Sequence, residues 1–189
     1  MMYLVIGGSA SGKSAYAEDL TCSLAEQKGL TEPLRKYYVA TMESFGEEGA
    51  ARVKKHRSMR RGKGFITIEQ PRNVGELARQ KRLQGSVVLV ECMSNLVANE
   101  MFASENPLPP EQILECICSD IRSLTEITEH LIVVTNDVFG DGYVYDESTM
   151  KYVTLLGQLN RLLTEMAREV VEVVYSIPCV IKRGKNKCQ

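Results

Sequence analysis

Tyr3-Leu4-Val5-Ile6 runs directly into Gly7-Gly8-Ser9-Ala10-Ser11-Gly12-Lys13-Ser14, and this join of apolar strand to glycine-rich turn decides the fold. The eight residues from Gly7 fit G-x-x-x-x-G-K-[S/T], the spacing of a phosphate-binding loop. Glycines let the backbone amides of Gly8, Ser9, Ala10, Ser11 and Gly12 curl around phosphate oxygens. Lys13 reaches the β/γ oxygens, and the Ser14 hydroxyl is placed to ligate Mg²⁺. A helix opening at this point adds its positive N-terminal end to the anion site. The expected ligand is therefore GTP or ATP with Mg²⁺.

Outward from this loop, apolar runs alternate with helical patterns, as in a mostly parallel sheet with crossover helices on both faces. The chain reads as an α/β protein of the P-loop NTPase type. Strand Tyr3–Ile6 leads to helix Ser14–Gln27, strand Tyr37–Thr41, a basic helix Glu47–Arg61 and strand Phe65–Ile68. A helix near Val74–Leu83 follows. Val87–Val90 is apolar throughout, which suits a strand buried on both faces. A loop over 105–110 precedes helix Glu111–Glu126 and strand Leu131–Thr135. After a Gly- and Asp-rich loop at 136–146 come helix Ser148–Arg168, strand Val170–Tyr175, short strand Cys179–Lys182 and a polar tail. With 189 residues and no repeat or linker, one domain over 1–189 is expected.

Charge and cysteine usage exclude several classes. The net charge of −1 argues against a nucleic-acid coat, although residues 51–63 hold seven Lys or Arg and no acid. No apolar run approaches the roughly 20 residues that a membrane span needs. The six cysteines lack paired C-x-x-C spacing or a compact disulfide framework, which suits reduced thiols in a cytoplasmic protein.

A second acid normally helps hold the metal of a P-loop site, at the end of a neighbouring buried strand. Glu91 ends Val87–Val90 and fills that place. The alternatives are a strand-terminating Glu facing solvent, and Asp137 as the metal acid. In the basic stretch, Arg52, His56 and Arg60 fall at i, i+4 and i+8, on one face of a helix. A neutral imidazole between guanidiniums is a nucleophile suited to a phosphorus atom, since the cations lower its pKa and neutralise phosphate oxygens. The bland alternative is a solvated basic face. His130, just before a strand, reads as a surface or helix-end residue.

Several segments together resemble the bifunctional adenosylcobinamide kinase and adenosylcobinamide-phosphate guanylyltransferase family. They are Leu4 to Ser14 with Ala17-Glu18, Tyr38-Val39-Ala40-Thr41, Arg52-Val53-Lys54-Lys55-His56, Val90-Glu91-Cys92 with Asn95 and Asn99, Val134-Thr135-Asn136-Asp137-Val138, and Gly157 with Asn160. The resemblance implies phosphorylation of adenosylcobinamide, a corrinoid, then GMP transfer from GTP through a guanylylated histidine. Motif position gives that histidine as His56. The resemblance further implies that Ala40, Thr41, Met42, Arg57, Arg60, Glu69 and Glu91 contact GTP, and that the protein is a homotrimer. The family's S-G-I-G near the C-terminus is replaced by Ser176-Ile177-Pro178-Cys179. Two other functions fit the residues: a small-molecule kinase in which His56 acts only electrostatically, and a nucleotide-switched binding module.

Overall fold

The structure, a computed structural model, describes residues 1–26, 33–43, 60–102, 108–140, 142–143 and 145–184. Seven strands of the described residues form one sheet: β1 (Met2–Gly7), β2 (Lys36–Ala40), β3 (Phe65–Glu69), β4 (Val87–Glu91), β5 (His130–Asn136), β6 (Glu169–Val174) and β7 (Ile177–Arg183). Their order is β3-β2-β4-β5-β1-β6-β7. β1 to β6 run parallel, and β7 returns antiparallel beside β6. Among the described residues four α-helices cover the sheet: α1 (Lys13–Ala25), α2 (Met93–Phe102), α3 (Pro110–Ile127) and α4 (Glu147–Met166).

Strand periodicity sorts the core into two layers. Leu4, Val39, Val88, Val90, Leu131 and Val133 point to one face, where they pack with residues of α2, α3 and α4. Val5, Tyr38, Leu89, Ile132 and Val134 point to the other, against α1. All five residues of β4 are buried, because parallel strands inside a doubly covered sheet have no wet face. In α1 the stripe Ala17, Thr21, Leu24 and Ala25 buries at helical spacing, and Glu18 is buried with it. None of the described helices is long and apolar enough to cross a membrane.

The structure corrects the sequence reading at several points. The segment Val74–Leu83 forms two 3₁₀ pieces, Val74–Arg79 and Lys81–Leu83, rather than an α-helix. Asn73 at φ 50° starts the first, and extended Gln80 separates the two. Helix α2 was not anticipated, because Met93, Leu96 and Val97 follow β4 with no Gly or Pro between to mark a boundary. Pro110 is not loop but the first residue of α3, where its lack of an N–H costs nothing. His130 is 1% exposed, not at the surface: it opens β5 with its ring 5.7 Å from that of Tyr3. Burial lowers its pKa. Strand β7 is longer than expected and absorbs Pro178 and Arg183, an edge strand being where proline is tolerated. Most of the expected helix Glu47–Arg61 lies outside the described residues, and at its end Arg60 and Arg61 are in a turn. The described cysteines, Cys22, Cys92, Cys116, Cys118 and Cys179, are all free.

Candidate active site

The carboxyl ends of β1, β2, β3 and β4 meet along one edge of the sheet, where the loop from Gly7 to Ser14, the segment Ala40 to Met42, Glu69 and Glu91 lie, while Arg60 sits in the turn that precedes β3. Register sets this row: Ala40 pairs with both Glu69 and Glu91, and Glu91 with Val134, which in turn pairs with Val5. Gly7 ends β1, and the chain turns through Gly8–Gly12 into α1. Two local bonds shape the turn, from Ser11 N to Gly8 O at 3.3 Å and from Tyr16 N to Gly12 O at 3.1 Å. Gly12, the residue before α1, has φ +93°, in the left-handed region where a side chain is strained. With no side-chain cap and no acid in the first turn, the amides at the start of α1 remain available to an anion.

Lys13 Nζ donates to Gly8 O at 3.0 Å, folding the cation over the loop it serves. Burial lowers the Lys13 pKa, against the opposing pull of Cys92 and Glu91. The Ser14 hydroxyl donates to Glu91 Oε1, which joins the loop to the end of β4. Glu91 is 8% exposed, so the reading of it as a solvent-facing strand end is set aside. Its other oxygen, Oε2, accepts from Tyr38 Oη at 3.1 Å. Asp137 is engaged locally instead: its N–H donates to Gly7 O, and its carboxylate accepts from Phe139 N at 3.3 Å.

The segment after β2 is fixed to the same edge. Thr41 Oγ1 donates to Cys92 O at 2.8 Å and accepts from Cys92 N at 2.7 Å. Asn99 of α2 donates to Thr41 O at 2.8 Å and to Pro71 O at 2.9 Å. Ala40 and Met42 are half-buried beside them, and Glu69 is exposed at the end of β3. Arg60 does not face solvent. It is 7% exposed, with its guanidinium carbon 3.5 Å from the centroid of the Tyr38 ring. Arg52, His56 and Arg57 lie outside the described residues.

Three contributors went unread in the sequence. Tyr38 sat inside an apolar strand with nothing to mark its phenol as a partner for Glu91. Glu18 has no sequence signal of burial, yet it is fully buried and bonded to Lys63 at 2.9 Å. Ser176 holds the loop from behind: its N–H donates to Ser11 O at 2.7 Å from the tip of the β6–β7 hairpin. The tip residues Tyr175 and Ser176 have φ 49° and 64°. Tight hairpins favour that pair of positive φ values.

A carboxylate and a hydroxyl beside a phosphate loop are hard oxygen donors, which suit Mg²⁺ held jointly with a triphosphate. No cluster of three or more His, Cys, Asp or Glu among the described residues forms a metal cage. The arrangement is that of a nucleotide-dependent phosphoryl- or nucleotidyl-transfer site.

Comparison with known proteins agrees with this geometry. Residues 3–181 match the family model described as CobU, cobinamide kinase / cobinamide phosphate guanyltransferase. The chain is 30% identical over 192 aligned residues to the bifunctional adenosylcobalamin biosynthesis protein CobU of Escherichia coli strain K12, covering 96% of this chain and all of that protein. It is 29% identical to the bifunctional protein CobP of Pseudomonas aeruginosa, covering 96% and 98% of the two chains. The CobU protein of Salmonella typhimurium is 30% identical, again over 96% of this chain. With a phosphate loop, a buried acid facing it and a family match spanning nearly its whole length, the chain belongs to the cobinamide kinase / cobinamide phosphate guanyltransferase family of cobalamin-biosynthesis enzymes.

Proposed function

We propose that this chain phosphorylates adenosylcobinamide from GTP or ATP. It then transfers GMP from GTP to the resulting phosphate, with His56 as the covalent carrier. The observation that carries the reading is the hydrogen bond from Ser14 to Glu91, which places a carboxylate against the phosphate loop. In the first step the corrinoid hydroxyl attacks the γ-phosphorus and the nucleoside diphosphate leaves. Backbone amides of Gly8–Gly12 and Lys13 Nζ hold the β- and γ-phosphates, whose negative charge is greatest in the transition state. Ser14 and Glu91 would hold Mg²⁺, which when bound neutralises the phosphate oxygens.

In the second step an imidazole nitrogen of His56 bonds to the α-phosphorus while the bond to the pyrophosphate oxygen breaks. The imidazole gives up its N–H proton, leaving a neutral guanylyl-histidine linkage. An oxygen of the corrinoid phosphate then attacks the same phosphorus. The P–N bond breaks, the departing imidazole nitrogen takes up a proton, and the products are adenosylcobinamide-GDP and regenerated His56. Ala40, Thr41, Met42, Arg57 and Glu69 line the nucleotide by family position, and Arg52 steadies the α-phosphate oxygens. We assign the chain to the cytoplasm and to a homotrimer. Exposed Ile177, Val180 and Ile181 on β7 supply an apolar surface suited to a neighbouring copy.

Incubating the protein with adenosylcobinamide, GTP and Mg²⁺ and resolving the corrinoids by chromatography tests this reading. Adenosylcobinamide phosphate and then adenosylcobinamide-GDP should accumulate. The variant Lys13→Ala should lose triphosphate binding by calorimetry together with both products. Wild-type affinity in that variant would remove the phosphate loop from the mechanism.

A further inference from the structure

Tyr38 lies on β2, on the face that packs against α1, and is 3% exposed. A buried phenol needs a partner for its hydroxyl, and Tyr38 finds it in Glu91 Oε2 at 3.1 Å. Since Glu91 Oε1 takes the Ser14 hydroxyl, donors from two different elements grip the two oxygens of one carboxylate. Arg60 covers the ring face, with its guanidinium carbon 3.5 Å from the centroid. Its Nη1 is buried with no hydrogen-bond partner among the described residues, so the ring is a principal contact of that cation. The turn that holds Arg60 is closed by the bond from Lys63 N to Arg60 O at 3.1 Å. Lys63 Nζ in turn reaches Glu18 Oε2 at 2.9 Å.

These contacts close a circuit. It leaves α1 at Ser14, crosses β4 at Glu91 and β2 at Tyr38, passes through Arg60 and Lys63, and returns to α1 at Glu18. A carboxylate held at one oxygen only could rotate about its last bond. Held in this circuit, it presents Oε1 to the phosphate loop in one orientation. The cation over the ring also draws electron density from the phenol, which strengthens its hydroxyl as a donor.

We propose that Tyr38 is a positioning residue that fixes the orientation of the Glu91 carboxylate for Mg²⁺, with Arg60 stacked behind it to hold and polarise the phenol. This rests on the reading of Glu91 as the metal acid. The test is calorimetric GTP binding across a Mg²⁺ titration, for wild type, Tyr38→Phe, Arg60→Met and Glu91→Gln, alongside GTP affinity without Mg²⁺. Tyr38→Phe keeps the ring and its packing and removes one hydrogen bond to a charged group. The Mg²⁺ midpoint should rise roughly tenfold, with Mg²⁺-free affinity unchanged. Arg60→Met should move the midpoint in the same direction by a smaller factor, and it decides the matter should Tyr38→Phe fail to fold. A merely structural role would lower both affinities together, and that result overturns the proposal. So does an unmoved midpoint in Tyr38→Phe while Glu91→Gln shifts it. If Glu91→Gln shifts nothing, the metal-acid reading fails and takes the Tyr38 proposal with it.

Discussion

Replacing Gly12 with Ala should destabilise the protein through two separable effects. The residue sits at φ +93°, where an L side chain is strained, at a cost of roughly 1–2 kcal/mol. The new methyl would also meet Ser176 Oγ at 2.6 Å, Ser176 Cα at 3.1 Å and Ser176 Cβ at 3.2 Å. Two of these atoms cannot swing away without moving the hairpin tip, which is tied to the loop through Ser11 O. Overpacking of this kind typically adds about 1–3 kcal/mol. The total is roughly 2–5 kcal/mol, a large share of the 5–15 kcal/mol that holds a typical domain together. Urea unfolding followed by circular dichroism measures it, with two companions. Gly8→Ala should stay within about 0.5 kcal/mol of wild type, because nothing lies within 4 Å of its new methyl. Ser176→Gly combined with Gly12→Ala should recover roughly 1 kcal/mol or more, since it removes the clashing Oγ and Cβ but leaves the φ strain. A Gly12→Ala midpoint equal to wild type would refute the reasoning about both φ and the hairpin contact.

Other expectations follow from buried polar groups. Lowered by burial, the His130 pKa favours the neutral ring in the folded state. Its contribution is thus fully present above the unfolded value near 6.5 and is lost as pH falls through the folded value. Thermal melting of wild type should drop more steeply than that of His130→Phe as pH is lowered from 7; parallel profiles would contradict this. Removing Lys63 strands Glu18, whose side chain is fully buried while that of Lys63 is 28% exposed. Lys63→Met should therefore cost roughly 1–3 kcal/mol in urea unfolding, and adding Glu18→Gln should recover most of it. No recovery in the double variant would mean that Lys63 acts through packing or through Asp19, whose carboxylate it also reaches at 2.8 Å.

Much of the sheet was legible because its strands are continuous apolar runs set between glycines and charged residues. The phosphate loop was legible for a different reason: Gly7, Gly12, Lys13 and Ser14 carry a spacing that the chemistry itself demands. Glu91 could be read from its place at the end of the most apolar strand. What stayed hidden depends on distance in space rather than along the chain. Tyr38 and Glu91 are far apart in sequence, and only the β2–β4 register brings them together. Glu18 and Lys63 are likewise remote, so a buried acid on α1 could not be told from a solvated one. The start of helix α2 carries no signal because Glu91-Cys92-Met93 holds no turn residue, and over a span as short as Val74–Leu83 helical periodicity does not separate 3₁₀ from α.

The central claim is that His56 carries GMP between GTP and the corrinoid phosphate. Incubation with GTP labelled in its α-phosphate, without corrinoid, tests it most directly. Wild type should acquire an acid-labile, base-stable label, seen by intact-protein mass spectrometry as a single added GMP that peptide mapping places on His56. Addition of adenosylcobinamide phosphate should discharge the label into adenosylcobinamide-GDP. The variant His56→Asn keeps a polar side chain of similar reach but cannot form the P–N bond. It should take up no label and make no adenosylcobinamide-GDP, while still binding GTP. Undiminished guanylyl transfer by His56→Asn, or label mapped to another residue, would contradict the account.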